Sequence, residues 1–487
     1  MRLLPATPSA WVKWISGGSV VLWVVLAATL NAAQPGDNIE QLLWSSDLAW
    51  GYAKHPPLTT WLLMGAQPVF GRAPQLTYGL AAACHLATLF LLYRIGSQLL
   101  NPQSGIWVLL ILSMTYAFTR KAQFYNHNTV LLLGLSLATW LTLQALQGNR
   151  WSMWVFQGLS FGLLILAKYQ SAIGVFLLYV MVIHATGWRH WKHMCLSTIT
   201  MLILLMPHIA WLITQDKVDS PVTYAQHYTR AVDVSHGLSG LMSYGASILK
   251  QYVMPLMMLL MVWPWRQRQA CSASLFHFTN PLAKPFILHS TLTRAMIMVA
   301  IGLVGVRLQD HWAMPLALFL SLPMAHLVNT HIGAVRYAHL PLVLALQVAF
   351  MAIFALQHQG YLSQRNMAHI ERHLNISEIM DQTNTYWRAH TTCPLKFVKG
   401  DQELTAMLAA YWPTTLIRPD ADTNALLQRP IQHTPESMGH IRLTYLDTLD
   451  TQRGTHDGVT VSAYAPLNGL PNKTILVEFS FPMTACD

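Results

Sequence analysis

Asp37, Glu40 and Asp47 stand together in a short polar stretch between apolar runs, and no other acid precedes residue 216. A carboxylate held at a membrane surface can take the proton from a hydroxyl as that oxygen attacks an electrophile. The other acids of the first 360 residues are Asp216, Asp219, Asp233 and Asp310, and all seven fall where a multi-span topology puts its outer loops. Ionisable groups are costly near a membrane core, so their one-sided clustering marks a working site. Arg120, Lys121 and Lys168 are cations on the same expected face. They suit a leaving group that gains negative charge, such as a phosphate, by charge-assisted hydrogen bonds. His208 and Lys250 fall in the outer halves of expected spans. Each either lines a polar cavity of the site or makes a satisfied polar contact within the bundle. Two roles stay open for Asp37: general base, or N-cap of a helix over 38–50.

The elements that must position these residues are membrane spans. Charged residues are 10% of the chain and apolar ones 53%, against roughly 25% charged in an average soluble domain. The net charge of +10 does not indicate nucleic acid. Residues 1–360 hold 20 Lys/Arg against 7 acids, and residues 361–487 hold 10 against 13. A basic excess inside a multi-span region reads as loop charge that sets topology. At ~20 residues per crossing, about eleven spans are expected, near 14–33, 76–98, 105–118, 126–147, 153–168, 170–187, 195–214, 240–263, 287–306, 312–330 and 339–358. The Lys/Arg bias places the N-terminus in the cytoplasm, and an odd number of spans puts the C-terminal segment outside. No cleavable signal peptide is expected, because no small-residue cleavage site follows the apolar run 14–33.

The chain divides into a transmembrane catalytic domain over 1–360, a linker over 361–379 and an α/β domain over 380–487. Within the first, residues 34–75 form an outer loop with two short helices, DNIEQLLWSSDLAWGY and LTTWLLMGAQPVF, broken by His55-Pro56-Pro57. Trp44, Trp50 and Trp61 suit a membrane interface, so the pair reads as amphipathic helices lying on the bilayer. In the tail, PLKFVKG, TTLIRP, HIRLTYL and KTILVEFSF read as strands and DQELTAMLAAYW as a helix. Cys393 and Cys486 lie at its two ends, where a disulfide and two free thiols are both open readings. No metal-ligand cysteine spacing appears, and a lone His127 is more often structural than a ligand. No cofactor or metal is therefore expected.

Asp37-Asn38, Trp44, Trp50-Gly51-Tyr52 and His55-Pro56-Pro57 resemble the first outer loop of glycosyltransferase family 39. That family includes protein O-mannosyltransferases and the aminoarabinose transferase that modifies lipid A. Ala167-Lys168-Tyr169, Pro207-His208 with Trp211, and Pro394-Leu395-Lys396 with Val398 and Gly400-Asp401 follow in the same order. The resemblance implies a GT-C bundle with a small C-terminal α/β domain, in the inner membrane of a bacterium. It implies a polyprenyl-phosphate-linked sugar as donor and transfer on the periplasmic face to a lipid, glycan or protein acceptor. Asp37 would be the general base. Arg120, Lys121 and Lys168 would hold the donor phosphate, and Glu40, Tyr52, His55, Asn126, His127, Asn128, Tyr169, His208 and Lys250 would complete the substrate site. Two positions depart from the family. Its usual second acid is Asn38 here, with Glu40 as a substitute that points elsewhere. An outer-loop acid before the fourth span is replaced by Tyr125-Asn126-His127-Asn128.

Two other classes remain open. A lipid-linked-sugar transporter or flippase would favour matching broken helices in two repeats, and no internal duplication is seen. A catalytically degenerate member acting in binding or assembly fits the loss of the two acids.

Overall fold

A computed structural model describes residues 7–52, 54–148, 150–214, 234–262, 278–359, 376–395, 397–400, 402–411, 418–419, 440–446, 458–461 and 474–480. Its helices are α1 Pro8–Leu30, α2 Gly36–Trp44, α3 Leu58–Phe70, α4 Leu76–Leu99, α5 Pro102–Ser113, α6 His127–Gly148, α7 Trp151–Ala167, α8 Ala172–Thr186 and α9 Trp191–Thr214. There follow α10 Val234–Val262, α11 Ala283–Ile287, α12 Arg294–Leu303, α13 Met314–Ile332, α14 Leu340–His358, α15 Ile376–His390 and α16 Gln402–Tyr411. A π-helical turn, Leu288–Thr293, joins α11 to α12.

Every expected span coincides with an apolar helix. Eight stretches among the described residues are long and apolar enough to cross a membrane, with α5 and α7 as shorter apolar helices. Local chemistry sets their starts. Thr7 accepts from the Ala10 N–H before Pro8, and Asn101 accepts from the Ser104 N–H at 2.8 Å before Pro102. A capping oxygen followed by proline is the common opening of a helix, since proline lacks only a donor that would go unused. The expected span 105–118 is shorter than read. Its helix stops at Ser113 and gives way to a 3-10 turn, Tyr116–Phe118. The central apolar cluster joins Val12 and Val20 of α1 to Leu92, Trp107, Leu135, Phe161 and Leu322.

Helix α2 departs from the surface-lying pair expected, whereas α3 leaves Leu62, Val69 and Phe70 exposed and Trp50 is half exposed. Trp44 is 2% exposed and stacks on Tyr52 at 5.2 Å, so it is packed in protein rather than set at an interface. Ile39, Leu42 and Leu43 of α2 share one apolar cluster with Tyr125 and with Trp387, Leu404 and Leu408 of the tail. The Gln34 N–H donates to the Tyr411 hydroxyl at 2.8 Å. Helix α2 thus lies between the bundle and the tail, and the tail sits on the same side as Asp37.

The tail carries one sheet of β1 Phe397–Gly400, β2 Arg418–Pro419, β3 His440–Leu446, β4 Gly458–Val461 and β5 Thr474–Ser480, in the order β2-β1-β3-β5-β4. β1 runs parallel to β2 and β3, and β5 runs antiparallel to β3 and β4. The helix Ile376–His390 begins in the stretch read as linker, and it and β4 were not expected. Cys393 is disulfide-bonded; Cys486 lies outside the described residues, as do Asp216, Asp219 and Asp233.

Candidate active site

Asp37 is in the first turn of α2, with Pro35 at the N-cap and no side-chain capping bond. The capping role is therefore excluded by position: the helix starts one residue before Asp37 rather than one after it. The neighbouring Asn38 is fully buried. Its amide nitrogen reaches Gln34 Oε1, Thr77 Oγ1 and the Gln123 carbonyl, and its Oδ1 accepts from the Tyr125 N–H at 2.9 Å. An aspartate there would lose the donor to the Gln123 carbonyl. Asn38 ties α2 to the 120s segment and turns away from the space that Asp37 faces.

Asn126 holds the exposed Asp37 carboxylate. Its Oδ1 accepts from the backbone N–H groups of Asn128 and Thr129, at 2.9 and 3.1 Å. That leaves Nδ2 to donate to Asp37 Oδ2 at 2.7 Å. One carboxylate oxygen is fixed and Oδ1 is left toward a cavity of about 260 Å³. Lys121, Asn126, Asn128 and Lys250 line the same cavity, so the structure brings five of the expected residues together. Lys121 lies over the Phe124 ring and Lys250 over the Tyr116 ring, at 4.1 and 4.4 Å.

Of the rest of that wall, sequence reasoning named only Asp310, among the one-sided acids and without a role. His85 lines it from α4, Gln251 from α10, and Asp310 and His311 from the start of α13. Asp310 accepts from the Ser243 hydroxyl through its side chain and from the Ser247 hydroxyl at 2.9 Å through its carbonyl. A signal for it existed: Asp310 is one of the seven one-sided acids, and a histidine follows it at a span boundary.

Lys168 stands one layer behind the cavity. It occupies the break between α7 and a 3-10 turn, is 6% exposed, and donates to Asn128 Oδ1 at 2.6 Å. Burial lowers its ammonium to about 7, and the attraction of Asp37 only partly offsets this. Arg120 is the correction. It donates to Gln357 Oε1 at 2.6 Å and lies over Phe354, so α14 takes it out of this cavity.

The remaining expected residues build the frame. Glu40 pairs with Lys54 at 2.7 Å and does not line the cavity. Burial pushes its own carboxyl up, Lys54 draws it back, and Asp37 is near enough for its charge to add slightly to the rise. The Tyr52 hydroxyl donates to the Asp47 carbonyl, and its N–H to the His55 carbonyl, which closes the turn before the two prolines. Burial holds His55 well below the usual imidazole range, with His127, its ring tilted against it at 4.0 Å, adding to it. Gln41 Oε1 accepts from Thr60, so the Gln41 amide faces His127 Nε2 at 3.1 Å. His127 then carries its proton on Nδ1, toward the Ala167 carbonyl at 3.0 Å. Both ring nitrogens are used. Among the described residues no three His, Cys, Asp or Glu converge as a metal site.

Short motifs far apart in the chain meet here. His208 Nδ1 donates to the Trp50 carbonyl, so its Nε2 accepts from the Tyr169 hydroxyl at 2.9 Å. A Cβ on Gly51 would lie 2.2 Å from the Trp211 ring, so only glycine lets the loop close on α9. His208 and Tyr169 therefore brace the loop rather than line the cavity.

The comparisons agree with this architecture. Residues 54–211 match the family model described as dolichyl-phosphate-mannose-protein mannosyltransferase. Over 202 residues the chain is 24% identical to the lipopolysaccharide core galacturonosyltransferase RgtA of Rhizobium johnstonii, covering 39% of this chain and 40% of that protein. The chain thus spans less than half the length of that curated relative. The crystal structure of ArnT from Cupriavidus metallidurans bound to undecaprenyl phosphate superposes with a TM-score of 0.62 at 14% identity, covering 96% of this chain and 98% of that one. Its apo state superposes with a TM-score of 0.60 at the same identity, covering 96% and 97%. The chain is a polytopic membrane protein with the GT-C fold of these ArnT structures, and the family-model match from residue 54 takes in His55-Pro56-Pro57, Ala167-Lys168-Tyr169 and Pro207-His208 with Trp211, motifs that carried the resemblance.

Proposed function

We propose that this chain is a membrane glycosyltransferase that moves a sugar from a polyprenyl-phosphate donor to an acceptor hydroxyl on a lipid, glycan or protein. The observation that carries the reading is one cavity of about 260 Å³ lined by Asp37, Lys121 and Lys250. A base and two cations are the parts such a transfer needs. The acceptor oxygen bonds to the anomeric carbon and gives its proton to Asp37 Oδ1. The bond from the anomeric carbon to the phosphate oxygen breaks with its electron pair, and the polyprenyl phosphate leaves with that charge. Lys121 and Lys250 stabilise it in a site partly removed from water. Asp310, held by two serines of α10, supplies a second carboxylate to accept hydroxyls of the sugar.

The Asp37 side is the periplasmic face of a bacterial inner membrane in this reading, supported by the Lys/Arg bias of the loops. The direct test is mass spectrometry of cell-envelope glycolipids from cells with the protein, without it, and with Asp37→Asn. A sugar-bearing species lost in both of the last two supports the reading. An unchanged profile in all three sinks it. A periplasmic reporter fused after residue 487 should be active and a cytoplasmic one silent; the reverse removes the periplasmic site.

A further inference from the structure

A second cavity lies within the bundle, between α6, α8, the segment 283–303 and α13, away from Asp37. Arg294 lines it and is only 5% exposed. Its Nε makes no hydrogen bond, and no carboxylate pairs with it among the described residues. Its guanidinium lies 5.9 Å from the Phe319 ring centroid. Apart from that ring and the nearby Tyr244 phenol it has no counter-charge among the described residues, and a cation taken out of water without one is costly inside a membrane protein.

Thr139 faces the same cavity from α6, is fully buried, and leaves its hydroxyl without a partner. Its neighbours on that helix show the contrast. Ser136 and Thr142 each donate to the carbonyl four residues back, at 2.8 and 2.7 Å. A buried threonine in a helix ordinarily does the same. Two further features make the room. Gly174 has no side chain where a Cβ would come within 3.4 Å of Arg294 Nη2. The π-helical turn Leu288–Thr293 stands immediately before Arg294, and such bulges recur at functional sites.

We propose that Arg294 and Thr139 hold one small anion of the halide class, with chloride as the physiological occupant. Size selects the class. The centre of a water-sized sphere has about 10 Å³ to move in, room for one monatomic ion somewhat larger than water but too tight for a tetrahedral phosphate. Charge selects an anion over water, because a water molecule would leave the guanidinium uncompensated. The walls of Leu135, Leu177 and Phe319 suit a weakly hydrated ion. The site is independent of the transfer reaction and neutralises a cation the bundle must bury.

The test uses the full chain in detergent, purified into gluconate buffer. Radiolabelled chloride is measured by equilibrium dialysis, and thermal unfolding is followed as chloride replaces gluconate at fixed ionic strength. One chloride should bind per chain, and the unfolding temperature should rise and saturate. Bromide should substitute, and phosphate should not. Arg294→Met should abolish both effects. Thr139→Val, a nearly isosteric change, should weaken chloride binding several-fold and keeps the test open if the first variant does not fold. No bound chloride in the natural chain, equal binding in Thr139→Val, or stabilisation by phosphate in place of chloride would overturn the proposal.

Discussion

The Asn126 side chain donates to Asp37 Oδ2 at 2.7 Å while its own carbonyl caps helix α6 through the N–H groups of Asn128 and Thr129. Capping fixes which end of the amide faces the carboxylate. Asn126→Asp keeps the cap, since aspartate caps about as well, but replaces the donor with a second carboxylate. Turnover should fall roughly 10–100-fold, the worth of a charge-assisted hydrogen bond of about 1.5–3 kcal/mol, with little change in thermal stability. Near-normal turnover would show that Asp37 needs no such hold.

Asp37→Asn removes the base and leaves a side chain of the same size in the first turn of α2. Transfer should drop by about 10²–10⁴-fold, the usual worth of general-base catalysis, in a protein that still inserts and folds. Glu40→Gln should cost less, because Glu40 is committed to Lys54. A steady-state assay with both variants decides which carboxylate takes the proton.

Lys168 sets a pH dependence. Its ammonium is lowered to about 7 by burial, so the free protein loses that cation as pH rises through about 7. A donor phosphate favours the protonated form, and the donor KM should therefore rise on the alkaline side. Lys168→Arg stays charged throughout and should flatten the profile. Stability moves the other way. The folded value lies below the ordinary 10.5, so the unfolded chain holds more protons between the two, and this group's contribution improves as pH rises from about 7 to 10.5. A KM that does not respond to pH removes Lys168 from donor binding.

Gly51→Ala drives a methyl group into Trp211, 2.2 Å from its ring. The loop should be destabilised by about 1–3 kcal/mol, the usual range for overpacking, and transfer should fall with it. Trp211→Leu in the same chain should restore part of the loss. Additive losses in the double variant would mean that the two residues do not meet.

The spans and the loop helices were legible because apolar runs, proline and capping residues act locally. Helix α3 and strand β3 have the bounds their patterns suggested. The cavity was only half legible. Arg120 and Lys121 are adjacent, yet one meets Gln357 and the other lines the cavity with Asp37. That choice is made by the turn after Phe118 and by a span more than 200 residues later, which no local pattern carries. Asn38 read as a missing acid, but the structure uses it as a buried cross-link. Asp310 and His311 reach the cavity only once α13 packs beside α10. β4 is only four residues long, too short to mark an element in isolation. The helix before β1 does carry a stripe at helical spacing, Ile376, Ile379, Thr383 and Trp387, but it begins in the stretch read as linker.

Helix α2 leaves the ribosome well before the tail that covers it. Until Tyr411 meets Gln34 and the Leu404 region closes over Leu42, the helix bearing Asp37 has one apolar side without its cover. A chain cut short after α14 would keep its spans and still lack the surface that seats its base. Docking of the tail is in this sense the step that completes the seat of the base, joining two parts of the chain more than 300 residues apart.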